Sequence, residues 1–292
     1  MISTAFTELV GCAAPVQQAP NGDLAPPELA IAVARAGAHG MLAAVAAPPA
    51  ELEEALDRME AAAVRAWGVN VVVPLTPRAS IELAAARAPL VDFHQGDPDP
   101  QLVELVHRSG GLASWQVGTA SEARAAQDAG CDLVVAQGHD AAGYVRGRAG
   151  TMALLQEVLD AVSVPVLAAG GIGTARGVAA VLAAGAAGVR IGTRFLAAAE
   201  AGADPGYVAA LVEARAQDTA MTNRFAPRDV PLHARVLRSG IEAGEQYLAG
   251  ESVGAVRGVQ PAAEIVAELV DGAERLLVGA ASLARGASAP AP

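Results

Sequence analysis

The chain has 292 residues and a formal net charge of −11; it is 53% hydrophobic but only 3% aromatic and 17% charged. That length suits one large α/β barrel or two ordinary domains, and so few charges exclude disorder as the main state. The acidic balance excludes a nucleic-acid partner, which demands clustered Lys and Arg, and no apolar stretch reaches the roughly 18 uncharged residues of a membrane span.

Short apolar runs alternate with Ala/Glu/Arg-rich segments of helical spacing, the pattern of a parallel sheet buried under helices. In chain order the reading is strand 15–20, helix 27–36, strand 40–45, helix 49–66, strand 69–74, helix 80–86, strand 90–94 and helix 100–108. It continues with strand 112–117, helix 121–129, strand 133–137, helix 152–162, strand 166–169, helix 174–184 and strand 189–192. Pro26-Pro27 and Pro48-Pro49 stand at helix starts, where proline is tolerated. Eight β-α units predict an α/β fold of the (β/α)8 TIM-barrel class, with functional groups in the loops after the strands; a doubly wound open sheet is the alternative. The barrel is expected over 1–200 and 231–285, an inserted cover over 201–230, a closing amphipathic helix over 261–278 and a flexible tail over 286–292.

Cys12 and Cys131 show no metal or redox spacing and read as buried free thiols. No basic region precedes an apolar block at the N-terminus, so no signal peptide is expected and the predicted setting is cytoplasmic. No metal site is expected.

The clearest chemical motif is Ala168-Ala-Gly170-Gly171-Ile-Gly173, directly after the seventh predicted strand and before a helix. Glycines admit close backbone approach, and a helix N-terminus offers free N–H donors to a phosphate. Gly192-Thr193-Arg-Phe195, after the eighth strand, would supply the other half of such a site. The glycine spacing does not fit a dinucleotide fingerprint.

These motifs, together with Pro15-Val-Gln-Gln-Ala-Pro20, Trp67-Gly-Val-Asn70, Gln116-Val-Gly118 and Ala136-Gln-Gly138, resemble the nitronate monooxygenase (2-nitropropane dioxygenase) family of FMN enzymes over most of the chain. The same motif set occurs in flavin-dependent enoyl reductases and NADH:quinone reductases. The resemblance implies that Ala19 and Pro20 border the flavin ring and that Asn70 and Gln116 bind its polar edge. It also implies that Gly138 leaves room beside the ring, and that Gly170, Gly171, Gly192 and Thr193 hold the phosphate. One position departs from the family. The family reads Ala-Gln-Gly-x-Glu-Ala-Gly-Gly-His, whereas this chain reads Ala136-Gln-Gly-His-Asp-Ala-Ala-Gly-Tyr144, so Tyr144 occupies the place of the catalytic histidine. A phenol with a pKa of about 10 is a poor base near neutrality, but it can donate to a developing anion. His139 and His94 are the candidates to compensate. A second departure is Asn21, where the family carries an apolar residue.

The resemblance therefore implies an FMN-dependent oxidoreductase that oxidises an alkyl nitronate or a similar small anion with O2. A preformed anion is favoured over a neutral nitroalkane because no strong base is then needed. One alternative is an NAD(P)H-dependent FMN reductase acting on a quinone or enoyl substrate; another is a barrel that binds ligand without turnover. The expected partners are a small-molecule substrate and O2 or NAD(P)H, and the reading admits a homodimer.

Overall fold

The computed structural model describes residues 2–226 and 230–284; the predicted tail at 286–292 lies outside them. The elements run α1 (Ala5–Val10), β1 (Val16–Gln18), α2 (Pro27–Arg35), β2 (Gly40–Ala43), α3 (Pro49–Ala61), β3 (Trp67–Val72), α4 (Arg78–Arg87), β4 (Leu90–His94), α5 (Pro100–His107), β5 (Leu112–Val117), α6 (Ala120–Asp128) and β6 (Leu133–Gln137). They continue with β7 (Gly143–Tyr144), α7 (Thr151–Leu159), β8 (Val166–Ala169), α8 (Ala175–Ala183), β9 (Gly188–Ile191), α9 (Pro205–Glu213), β10 (Thr219–Thr222), β11 (Ala234–Leu237), α10 (Arg238–Ala243) and α11 (Ala262–Ala284).

Eight parallel strands pair in the order β1-β9-β8-β6-β5-β4-β3-β2. The two ends meet where Gln18 N donates to His39 O (2.9 Å) and His39 N to Val16 O (2.9 Å), which closes the sheet into a TIM barrel. Because side chains alternate across a strand, each barrel strand sends one set outward and one inward. Val69, Val71, Val91, Phe93, Ala113, Trp115, Val189 and Ile191 face out into the shell packed under the helices. The inward set forms a smaller plug of Met41, Leu90, Leu133, Val135 and Leu167 around the fully buried Phe6 of α1.

The largest shifts of helix ends from the sequence expectation are in the second predicted helix and the closing helix. The helix starting at Pro49 stops at Ala61 rather than 66, because Ala63 takes φ +54° and turns the chain into β3. The closing helix runs on to Ala284. The short α1 went unread, since six residues carry little periodicity. Its one signal is a capping box in which Thr4 N donates to Thr7 Oγ1 (2.9 Å) and Thr7 N to Thr4 Oγ1 (3.3 Å).

A second, antiparallel sheet of order β10-β11-β7 lies outside the barrel. The stretch read as a cover holds α9 and β10, whereas the partner strand β11 lies past it. β11 also pairs with β7, placing Ala234 opposite Tyr144. No helix among the described residues is long and apolar enough to cross a membrane. Cys131 is buried and Cys12 half-buried, both unbridged; burial pushes their thiols up to about 12 and about 11.

Candidate active site

The C-terminal ends of the barrel strands surround a cavity of about 480 Å³, within the ordinary range for small-molecule and cofactor sites. Of the sequence-predicted residues, Ala19, Pro20, Asn70, His94, Gln116, Tyr144, Gly170, Gly171, Gly192 and Thr193 line it. Gly138 and His139 do not.

The floor is a buried polar layer built from the inward positions of five strands. Arg190 on β9 is 3% exposed. Its Nε donates to Gln17 Oε1 (2.6 Å), and its Nη1 donates to Asp92 Oδ2 (2.7 Å) and Gln116 Oε1 (2.6 Å). Asp92, fully buried on β4, also accepts from Asn70 Nδ2 (2.7 Å) and Ser114 Oγ (2.7 Å). A carboxylate only accepts and a guanidinium only donates, so these bonds orient both amides. Asn70 must present Oδ1, and Gln116 must present Nε2, to a ligand. His39 is buried in the same interior with Nδ1 3.3 Å from Gln17 Nε2. Burial, reinforced by repulsion from Arg190, holds its imidazole neutral with a pKa lowered to about 3.

The glycine turns line the same cavity. Gly170 and Gly171 follow β8 with φ of +108° and +65°, conformations that glycine adopts without a Cβ clash. A Cβ on Gly170 would lie 2.7 Å from Thr151 Oγ1, and one on Gly171 would lie 3.2 Å from the Asp140 Cβ. After β9, Thr193 Oγ1 accepts from Gly250 N (3.0 Å), which ties the 251–255 turn down beside the cavity. Both turns line the cavity.

Gly138 stands back from the cavity, because the space beside its Cα is filled by the start of α7. A Cβ there would come 2.1 Å from Thr151 Oγ1 and 2.4 Å from Thr151 N. Gly138→Ala should lower stability by about 1–3 kcal/mol through overpacking; a thermal unfolding midpoint equal to that of the parent protein would contradict this close approach.

The three candidate catalytic side chains have different environments. His94 is 6% exposed at the end of β4, with Nε2 3.1 Å from Gln95 Nε2. Burial is the main cause that lowers its pKa to about 4, so it is neutral at pH 7. His139 is turned toward the second sheet. Its Nδ1 lies 3.0 Å from Arg235 Nη2 and must accept from it, because arginine has no acceptor. That bond occupies the nitrogen a base would use. Tyr144 is half-buried and lines the cavity, with its main chain held in β7 and its carbonyl accepting from Gln137 Nε2 (3.0 Å). Burial raises its phenol above the ordinary value, so the hydroxyl keeps its proton. Arg146 lies outside the lining and is spent on Glu122 (2.8 Å) and Asp97.

Sequence reading missed Arg190, Asp92 and Gln17. Their signal was present: a charge in the middle of an apolar strand, as in Val189-Arg-Ile and Val91-Asp-Phe, has to be paired when both faces are buried. It also missed the rim residues Gln246, Leu248 and Ser252, which reach the cavity from the far end of the chain.

Five buried side-chain polar atoms among the described residues have no protein partner, and three belong to residues of this cavity: Asn21 Nδ2, Gln137 Oε1 and Arg190 Nη2. Leaving such an atom unmet costs about 1–3 kcal/mol. Two free donors and a free acceptor around one space fit a flat heterocycle with carbonyl and N–H groups on its edge, and the glycine turns fit its phosphate.

Comparison with known proteins agrees with this geometry. The family model described as nitronate monooxygenase matches residues 3–84 and 78–243. The chain is 31% identical over 278 residues to a probable nitronate monooxygenase of Bacillus subtilis, covering 80% of this chain and 79% of that one. It is also 37% identical over 196 residues to a (3aS,4S,5R,7aS)-5-hydroxy-7a-methyl-1-oxo-octahydro-1H-indene-4-carboxyl-CoA dehydrogenase of Rhodococcus jostii, covering 67% of this chain. The match spans only 55% of that protein, and 64% of the Mycobacterium tuberculosis protein of the same name. The structure of FabK from Thermotoga maritima superposes with a TM-score of 0.87 at 26% identity, covering 98% of this chain and 99% of that one. With a matching family model over most of its length and the same barrel, the chain belongs to the nitronate monooxygenase family of flavin-dependent oxidoreductases.

Proposed function

We propose that this protein is an FMN-dependent oxidoreductase that oxidises an alkyl nitronate or a similarly small preformed anion with O2. The observation that carries this reading is that none of the three candidate catalytic side chains offers a free base; Asp23, the one carboxylate among the described residues lining the cavity, is exposed to solvent. His94 is buried with its pKa lowered to about 4, the His139 Nδ1 is held by Arg235, and Tyr144 keeps its proton. A neutral nitroalkane must lose a proton from carbon before it can be oxidised, whereas a nitronate arrives already ionised.

In this reading Ala19 and Pro20 border the ring, Asn70 Oδ1 and Gln116 Nε2 meet its polar edge, and the turns at Gly170, Gly171, Gly192 and Thr193 hold the phosphate. When bound, FMN supplies an electron-accepting ring that dioxygen reoxidises. Tyr144 contributes a hydroxyl whose proton is available to an anionic oxygen of the substrate. The neutral His94 adds no charge that would compete for that anion, and Gln246, Leu248 and Ser252 contribute to the cavity wall.

Oxygen uptake at neutral pH should be much faster with a nitronate than with the parent nitroalkane; equal rates would sink the reading. Tyr144→Phe should lower kcat/KM for the nitronate about 10- to 100-fold, the worth of a hydrogen bond to a charged group. Steady-state kinetics on the variant would expose an unaffected enzyme.

A second reading has its own support. A phenol kept protonated at the cavity wall is also a proton donor for a reduced enoyl or quinone, with NAD(P)H as electron source, and the barrel superposes closely on FabK. Anaerobic mixing separates the two. Flavin bleached by nitronate but not by NADH or NADPH supports the first, and the reverse result supports the second.

A further inference from the structure

The proposed oxidation leaves Arg190 without a role, although it is the only cationic side chain among the described residues lining the cavity. Three hydrogen bonds fix it: Nε to Gln17, and Nη1 to Asp92 and to Gln116. Its side chain is almost fully buried, and Nη2 has no partner. A guanidinium does not give up its proton in proteins, so this is a permanent, immobilised cationic donor. The other charged or titratable groups around it are Asp92, bound to it, and the imidazoles of His39 and His94; Arg146 is paired beyond the lining.

Resting on the FMN reading above, we propose that the free Nη2 of Arg190 donates to the pyrimidine edge of the bound flavin and selects the anionic form of the reduced ring. Two-electron reduction of the neutral oxidised ring with uptake of one proton leaves a negative charge on that edge. A donor already fixed in place stabilises such a charge without reorganising, and a hydrogen bond between two charged groups is about twice as strong as a neutral one. Arg190 is thus a cofactor contact that favours electron acceptance, independent of which substrate supplies the electrons.

The test is a spectroelectrochemical titration of the FMN-loaded protein with mediators. For the unmodified protein the midpoint potential between about pH 5.5 and 7.5 should change by about 30 mV per pH unit, the value for one proton per two electrons. The double variant Asp92→Asn/Arg190→Gln removes both charges of the layer together. It should bind reduced FMN at least tenfold more weakly relative to oxidised FMN, which converts to a potential lower by about 30 mV or more. Ser114→Ala disturbs the same layer without reaching the cavity and should leave the potential unmoved. A slope near twice 30 mV per pH unit in the unmodified protein, or a double variant with the parental potential, overturns the proposal. The slope decides the matter even if the double variant fails to fold. Purified protein that stays colourless with added FMN overturns the cofactor reading first, and this one with it, before any potential is read.

Discussion

Replacing Asp92 by alanine should destabilise the protein by about 3–5 kcal/mol, the usual cost of leaving a buried charge without its partner. Asp92 is 0% exposed and, among the described residues, is the only anion that Arg190 touches. With it gone, the guanidinium keeps the carbonyl oxygens of Gln17 and Gln116 but no counter-charge. Ser114 Oγ loses its acceptor, and Asn70 Nδ2 keeps only the Asp92 main-chain oxygen at 3.2 Å. The loss reads out as a lower midpoint in urea or guanidinium unfolding. The contrast is Asp92→Leu/Arg190→Met, which removes both ions at similar volume and should recover most of the loss, since buried ion pairs gain little over apolar packing. If Asp92→Ala costs under about 1 kcal/mol, water reaches the layer and the pair is not desolvated. The same variant should also weaken cofactor binding, because Asp92 sets which end of the Asn70 amide faces the cavity.

This layer marks the divide between what the sequence disclosed and what it did not. The eight barrel strands were legible because parallel strands buried on both faces are continuous short runs of Val, Leu and Ala, and the helices announced themselves with Pro27, Pro49 and Pro100 at their first position. The end of α3 was not legible, because the left-handed residue there is Ala63 rather than a glycine. The second sheet was illegible for a different reason. β7 has two residues, and its partner lies some ninety positions further on, with Tyr144 opposite Ala234, so no local period encodes it. The site followed the same rule. The glycine turns could be read locally, whereas Asn70 and Gln116 were singled out only by the family resemblance; Asn70, Gln116, Gly170 and Gly171 all line the cavity. The orientation of His139 depends on Arg235, 96 residues away, which no spacing in the 136–144 loop reveals.

Stability should fall as the pH is lowered from about 8 to 5, and two buried imidazoles should account for about 3–4 kcal/mol of the loss. Burial lowers the pKa of His39 to about 3 and of His94 to about 4, while in the unfolded chain both return to about 6.5. The sign follows from proton counting. Between about pH 6.5 and 4 the unfolded chain binds protons that the folded chain refuses, so acid favours unfolding. The stability is fully present above about pH 6.5, declines below it, and stops declining on this account once the folded imidazoles themselves take protons, near pH 4 for His94 and near pH 3 for His39. At pH 5 each imidazole stands about 1.5 pH units below its unfolded value, worth about 2 kcal/mol. Denaturant midpoints measured at intervals across this range would trace the curve, and His94→Gln should remove about half of the decline while leaving the part due to His39. A decline of under about 1 kcal/mol, or one that His94→Gln leaves untouched, would mean that His94 is hydrated and protonatable in the folded state. In that event a base would be available in the cavity after all, and neutral nitroalkanes would become competent substrates. The same titration therefore tests the packing of the barrel mouth and the reason for proposing a preformed anion.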